Sequence, residues 1–408
     1  MKQGFLSQYF QGVAVKRLSA VEADVIHSNQ HEFNGVEGLR EILGEPDGKV
    51  RYSALFLYLS DQQEEPISEN GFLTWYDARQ KARLERGVMR YEYRLYFPTN
   101  LVSQRANEGD LLVIAKRPDG SLLAIVAEKD TTIASQITWL FGFPQLSEPS
   151  FQVRESLDSE HDRIEFASRI VLESIGIAIE ETESSLLNGI LDKFGAIFPK
   201  TKDFSAYAQS SLKEVSVTDG PDAVLMAWME REEILFRTLE RHIVSERLTK
   251  GFEDVDSFMA FSLSVHNRRK SRAGLALENH LERLFGEYGV RYTRTPVTEN
   301  RSKPDFLFPG QAEYRDPQFD PLHLTMLGVK STCKDRWRQV LAEADRIEQK
   351  HLLTLEAAIS PNQTDEMKSK KLTLVLPRKL HSTYTPTQQT DLIDVSAFTT
   401  LVLERQRL

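Results

Sequence analysis

Over the first 145 residues, short apolar and aromatic runs alternate with turn-forming residues. VRYSALFLYLS, YEYRLYFP, DLLVIAKR and LLAIVAE are each strand-sized and rich in β-branched or aromatic side chains. Glu-Pro-Asp-Gly at 45–48 and Arg-Pro-Asp-Gly at 117–120 punctuate them, and the second, lying between two apolar runs, predicts a hairpin turn. With one helix expected near 36–43, the pattern predicts a small β-barrel or pseudobarrel.

The period then changes. Residues 142–160, FGFPQLSEPSFQVRESLDS, lose regularity as a linker does. Apolar positions at steps of three and four begin near 161 in HDRIEFASRIVLESIGIAIEE and resume at 222 in DAVLMAWMEREEILFRTLERHIVSERL, which predicts helices. Beyond Gly251 the pattern is mixed. A helix through 275–288 stops at Gly289, then come strands VRYTRTPV and DFLF, a polar loop to 321, strand LHLTMLGVK, helix DRWRQVLAEADRIEQK, and strands HLLTL and KLTLVLP. This order predicts an α/β domain with a central mixed sheet flanked by helices. The chain is expected to divide into a strand-rich domain (1–145), a linker with a connecting helix (146–196) and the α/β domain (197–408).

Bulk properties narrow the picture. At 408 residues, two cores are the expectation. No apolar run reaches about 18 residues and the start, MKQGFLSQYF, lacks a signal-peptide core, so a soluble cytoplasmic protein without a membrane partner is expected. The single cysteine, Cys333, excludes an internal disulfide and a Cys-rich zinc site. The net charge of -9 argues against a polyanionic partner, but it is unevenly spread. From His266 to Lys303 nine Lys/Arg, among them Arg268, Arg269 and Arg272, face four Glu, and phosphate contacts depend on local charge. A solvated basic helix face is the competing explanation.

The chemistry concentrates in 303–348, KPDFLFPGQAEYRDPQFDPLHLTMLGVKSTCKDRWRQVLAEADRIE. Hydrolysis of a phosphodiester needs stabilised negative charge and an activated water, and Mg²⁺ held by carboxylates supplies both. Asp305 heads one apolar run and Lys330 closes the next, where an ammonium can orient water and offset developing charge. The widespread Pro-Asp...(Asp/Glu)-x-Lys nuclease pattern, PD-(D/E)xK, places an acid two residues before the lysine, where this chain has Gly328. Glu343 in the following helix is the candidate replacement, and Glu278 in the preceding helix a further acid. Each alone is equally a surface salt-bridge partner; the order of the four carries the reading. The intervening Lys334, Asp335, Arg336 and Arg338 suit base edges, with arginine donating to guanine and aspartate accepting from cytosine. The alternative is a helix start capped by Asp335 with solvated cations.

NRRKSRAG at 267–274, LENHLERLF at 277–285, KPDFLFP at 303–309 and VKSTCKDRWRQVLAEADRI at 329–347 resemble the catalytic domain of EcoRII-type restriction endonucleases. The resemblance implies a restriction-endonuclease-like fold, Mg²⁺, and catalytic roles at Glu278, Asp305, Lys330 and Glu343, the displaced glutamate being a feature of that family. It implies base reading of a G·C-rich, CC(N)GG-like palindrome in double-stranded DNA by Lys334, Asp335 and Arg336, and a homodimer. By analogy with base-flipping relatives, Trp228 is a candidate for stacking on an extruded base, against the alternative of a core tryptophan. VKRLSA at 15–20 is similar to the start of the EcoRII effector domain, a B3-like DNA-binding pseudobarrel that restrains the nuclease until it binds a second site. Its DNA-gripping arms map to 28–35, with Asn29, Gln30, His31, Glu32 and Asn34 at base-edge height, and to 74–87, with Arg79, Lys81, Arg83 and Arg86 for phosphates. A polar loop and a charged helix are the alternatives there. Two rival functions stay open: a non-catalytic DNA-binding regulator, which predicts binding without cleavage, and a modification-directed nuclease, which predicts no cutting of unmodified DNA.

Overall fold

A computed structural model describes all residues except 1, 3, 24–30, 64, 88, 144–145, 147–149, 178, 180–183, 334–335 and 408. Two compact units form: Met1–Ala178 with Ala358–Gln363, and Ile179–Ala357 with Thr364–Leu408.

The first unit is built on an eight-stranded sheet. Its strands are β1 (Gly12–Arg17), β2 (Glu32–Asn34), β3 (Val50–Leu59), β4 (Ile67–Asp77), β5 (Tyr93–Tyr96), β6 (Leu111–Lys116), β7 (Leu122–Ala127) and β8 (Gln152–Arg154), in the spatial order β2-β5-β4-β3-β7-β6-β1-β8. All neighbours are antiparallel except β3 and β7. The Arg-Pro-Asp-Gly hairpin forms as expected: Lys116 pairs with Leu122, and Gly120 takes φ +84°, which a side chain would resist. β6 and β7 are buried almost throughout, which explains their unbroken apolar runs. The helix near 36–43 spans Glu37–Leu43 and buries Leu39, Ile42 and Leu43.

The second unit holds the predicted mixed sheet, with β9 (Thr293–Arg294), β10 (Phe306–Phe308), β11 (Thr325–Lys330), β12 (Lys350–Thr354) and β13 (Leu372–Val375) in the order β13-β12-β11-β10-β9. β10 runs antiparallel to both neighbours, while β11, β12 and β13 are parallel. Phe285, on the helix Val255–Glu287, sets its ring edge-on to Phe306 and Phe308, each 5.3 Å away, and Phe308 meets Phe398 of the helix Val395–Arg407 at 5.7 Å. This aromatic cluster seats both helices on the strand that carries Asp305 at its head.

Two expected helices differ from those observed. The one placed at 275–288 begins twenty residues earlier, at Val255, where Asp254 and Ser257 form a capping box. Sequence periodicity misses this first part because nothing there is buried. The helix expected over DRWRQVLAEADRIEQK is only Trp337–Leu341. The chain then turns through Ala344, at φ +53°, because β12 begins at Lys350 and its ammonium binds the carbonyls of Ala344 (3.1 Å) and Ile347 (2.9 Å).

Candidate active site

Sheet register brings Asp305 and Lys330 together at one end of the second unit's sheet, and Glu278 and Glu343 lie near enough to feel the charges of both. β10 and β11 pair Phe306 with Leu327, so Asp305, just before β10, reaches the backbone N–H of Val329, which donates to its Oδ2 at 2.6 Å. The same oxygen accepts from Lys330 Nζ at 3.0 Å. β9 pairs Arg294 with Phe306, so the Arg294 guanidinium lies beside this end and donates to Glu278 (2.9 Å), Asn279 (2.9 Å) and Glu282 (2.7 Å) on the long helix. Burial, joined by the negative charge of Asp305, pushes the Glu278 carboxyl up against the opposing pull of Arg294.

Glu343 stands on the turn after Trp337–Leu341, with its backbone N–H donated to Val340 O at 3.2 Å. One of its oxygens, Oε2, is buried and lacks a hydrogen-bond partner. Burial and the nearby Asp305 charge push its pKa up to about 7, with Lys330 and Lys350 pulling the other way. The donors are all carboxylate oxygens, as hard divalent cations take, and an orphaned buried oxygen is the kind of atom such a cation satisfies. Asp305 and Glu343 therefore fit Mg²⁺. Among the described residues no group of three or more His, Cys, Asp or Glu is already gathered tightly enough to hold a metal ion; Lys330 lies on the Asp305 carboxylate instead.

The missing acid has a steric cause. A Cβ on Gly328 would lie 2.8 Å from Cγ2 and 3.0 Å from Cγ1 of Val340, so the short helix packs directly on β11 at the point where the common pattern carries its carboxylate.

Three residues that sequence reasoning passed over support the site. Arg294 holds Glu278, Lys350 pins the turn of Glu343, and the buried Glu356 accepts the backbone N–H of Cys333 while Tyr384 donates to its carbonyl at 2.6 Å. Local patterning carries no signal for Arg294 or Glu356, whose partners are distant in sequence, and none for Lys350, whose charge marks a surface residue although it is buried against the carbonyls just before it. Burial, and then Glu356, raise the Cys333 thiol well above its ordinary value.

The other expected contacts are dispersed. Lys334 and Asp335 lie outside the described residues; Arg336 is exposed, and Arg338 is exposed but bonds Glu366 at 2.7 Å. Arg272, expected on phosphates, is instead turned inward. It is 6% exposed, bonds Glu232 at 3.3 Å and Glu233, and stacks over Phe236, so carboxylates inside the helix pair already neutralise it. Arg269 likewise binds Glu240 at 2.8–2.9 Å, and Arg268 lies over the Phe198 ring at 4.8 Å. Trp228 is buried with its ring 5.8 Å from that of His280, as the core alternative describes.

In the first unit Asn29 and Gln30 lie outside the described residues. His31 stands edge-on to Phe97 at 5.8 Å, Glu32 accepts from Tyr76, and Asn34 from Arg94. Arg79 bonds Glu92, Arg83 bonds Asp77 at 2.6 Å, and Lys81 is exposed, 3.9 Å from Glu85. Asn34, Arg40, Arg79, Arg90 and Arg94 share one cleft of about 620 Å³ with Glu37 and Glu92.

Residues 236–399 match the family model described as EcoRII C terminal. This segment is similar to the C-terminal part of EcoRII. The chain is also 44% identical over 202 residues to the type II restriction enzyme EcoRII of Escherichia coli, covering 49% of this chain and 50% of that enzyme; it spans about half the length of the curated relative it matches. Among solved structures it is similar to metal-depleted Ecl18kI in complex with uncleaved, modified DNA (16% identity, 55% of this chain and 83% of that one, TM-score 0.44). It is likewise similar to a PspGI–substrate DNA complex (15% identity, 52% and 94%, TM-score 0.43). Glu278, Asp305, Lys330 and Glu343 all fall inside this matched segment. No helix among the described residues is long and apolar enough to cross a membrane.

Proposed function

We propose that this chain is a type II restriction endonuclease that hydrolyses both strands of double-stranded DNA at a short G·C-rich, CC(N)GG-like palindrome. The observation that carries the reading is the Asp305–Lys330 pair beside the orphaned oxygen of Glu343, within the segment similar to EcoRII. Asp305 and Glu343 would hold Mg²⁺, with the Glu278 carboxyl nearby as a further acid. Bound there, the cation supplies charge neutralisation and a more acidic water.

The protein's own residues do the rest. Lys330, which pairs with Asp305, would orient the attacking water and offset charge on the phosphoryl oxygens. Arg294 keeps Glu278 directed at the site, and Lys350 fixes the turn that carries Glu343. Lys334, Asp335 and Arg336 read the bases, and Glu356 anchors the start of that segment through Cys333. A palindrome calls for two copies of the chain related by a two-fold axis.

The first unit we take to be a B3-like DNA-binding module that acts as an effector or autoinhibitor. Its mainly antiparallel sheet and the arginine-lined cleft between the two expected arms support that assignment.

Incubation of the full chain with Mg²⁺ and unmethylated plasmids bearing one or two CC(N)GG-like sites, followed by sequencing of the ends, tests this. A fixed cut position at such sites is expected, with faster cutting of the two-site plasmid. No fragments with any divalent metal would remove the enzyme reading, and cutting of modified DNA alone would replace it with a modification-directed nuclease.

A further inference from the structure

One hairpin touches every acid of the candidate site. Its strands are β9 and β10; Arg294 on the first bonds Glu278, and Asp305 heads the second. Pairing continues past both strands, with the Thr295 N–H donating to Asp305 O (2.9 Å) and the Thr298 N–H to Ser302 O (3.0 Å). The tip, Glu299–Arg301, therefore stands off the sheet end that carries Asp305 and Lys330. Its inner side grips the turn of Glu343. Ser302 Oγ donates to Ala342 O at 3.3 Å. The Glu299 carboxylate accepts the Asp345 backbone N–H at 3.3 Å and the Tyr314 hydroxyl at 2.6 Å, and that hydroxyl accepts the Arg346 N–H at 3.2 Å. These bonds fall on both sides of Glu343 and leave its Oε2 without a partner.

The outer side is basic. Earlier in the same basic run, Arg269, Arg272, Arg283, Arg291 and Arg294 pair with carboxylates. Arg301 and Lys303 are exposed, and among the described residues neither pairs with an acid. Asn300 (φ +55°) and Arg301 (φ +60°) take the left-handed conformation, which asparagine tolerates and arginine rarely adopts, so the loop holds Arg301 in place against a local preference. A cavity of about 350 Å³ beside the tip adds Arg315 and Arg346, which bond backbone carbonyls rather than carboxylates; Glu299 is the one acid among its described lining residues.

We propose that this tip is a phosphate-binding loop that also positions Glu343. Arg301 and Lys303 take backbone phosphates of the duplex next to the one cleaved, while Glu299 and Ser302 are positioning residues that set Glu343 for its metal ion. Phosphodiesters suit the outer side because they are anionic, repeat along the strand, and are reached by a short loop without base contact. A loop fixed on its inner side offers its cations at a set place relative to the metal site, as alignment of one phosphodiester for attack requires. The inference rests on the nuclease reading for which phosphates are bound, and on the bonds of Glu299 and Ser302 for the positioning.

Two readouts on the full chain separate the two sides: Mn²⁺ binding without DNA by electron paramagnetic resonance, and the salt dependence of binding, in chelator, to a duplex with one CC(N)GG-like site. Arg301→Ala with Lys303→Ala is expected to lower the slope of log affinity against log salt by about 2 and to leave Mn²⁺ affinity within about twofold of wild type. Glu299→Ala is expected to weaken Mn²⁺ binding about tenfold with the salt slope unchanged, and Glu299→Gln, which keeps an acceptor, to recover part of it. Ser302→Ala, a smaller change at the same clamp, is expected to shift Mn²⁺ affinity in the same direction. An unchanged salt slope in the Arg301/Lys303 variant, or unchanged Mn²⁺ affinity in both Glu299→Ala and Ser302→Ala, would overturn the proposal. So would loss of both readouts in either variant, the mark of a loop that merely folds the domain. Such failures in a chain whose wild type cuts DNA leave the nuclease reading standing; the expected shifts in a chain that cuts no DNA remove the nuclease reading alone.

Discussion

Gly328 and Val340 are in such close contact that any side chain at 328 would meet the valine at 2.8 Å. The position where the common nuclease pattern carries an acid is thus filled by the short helix that precedes Glu343. Loss of one carboxylate and gain of the other are two sides of one packing arrangement. Gly328→Glu should not restore a more ordinary site but overpack the sheet, lowering stability by about 1–3 kcal/mol. Val340→Ala in the same chain should recover part of that loss. Urea denaturation of the single and double variants checks this, and a Gly328→Glu chain as stable as wild type would contradict it.

Arg294 joins β9 to Glu278, Asn279 and Glu282 on the long helix. Arg294→Met should lower the single-turnover cleavage rate by about 10- to 100-fold with a smaller effect on DNA affinity, because the acid is misdirected rather than the duplex released. Arg294→Lys should recover part of the rate. Equal losses in rate and binding would mean that Arg294 contacts DNA instead.

Protons and metal compete for Glu343. With its pKa near 7 in the metal-free protein, the carboxyl is largely protonated at pH 6 and must release a proton to bind Mg²⁺. Apparent Mg²⁺ affinity should rise between pH 6 and 8 and then level off, with close to one proton released per ion at pH 6. Titration calorimetry in buffers of different ionisation enthalpy measures it. Glu343→Gln should abolish the proton release.

His351, the second residue of β12, bears on stability rather than catalysis. Burial, helped by Arg405, lowers its pKa from 6.5 to about 4. The folded state therefore binds the proton more weakly than the unfolded chain. Stability is fully present above pH 6.5 and is lost as the pH falls towards 4, on the order of 3 kcal/mol at the lower end. Chemical denaturation across that range should show the loss in wild type and a shallower slope in His351→Gln.

Much of this was legible in the sequence because the carrying signals are local. The alternation around Arg-Pro-Asp-Gly gave the hairpin, and the apolar runs beside Asp305 and Lys330 gave two adjacent strands. What was not legible depends on tertiary placement that local periodicity does not report. Arg294 reaches Glu278 across sixteen residues, and nothing near either marks the pair. Lys350 looked like the end of a helix because its run is charged, yet its burial beneath the turn of Glu343 ends that helix early. The stretch of the long helix before Arg272 escaped because periodicity reports burial, and its apolar side chains are not buried. Arg272 showed the reverse error: a basic cluster suggested phosphates, while Glu232 and Glu233 on the neighbouring helix take its charge.

The central claim, that Asp305 with Lys330 and Glu343 forms a Mg²⁺-dependent phosphodiesterase site, is tested most directly by single-turnover cleavage of a duplex carrying one CC(N)GG-like site, comparing wild type with Asp305→Asn. The account predicts Mg²⁺-dependent cutting by the wild type, a fall of at least about 1,000-fold in the variant, and retained DNA binding. Cleavage by Asp305→Asn at the wild-type rate, or by the wild type at an undiminished rate in excess chelator, would contradict it.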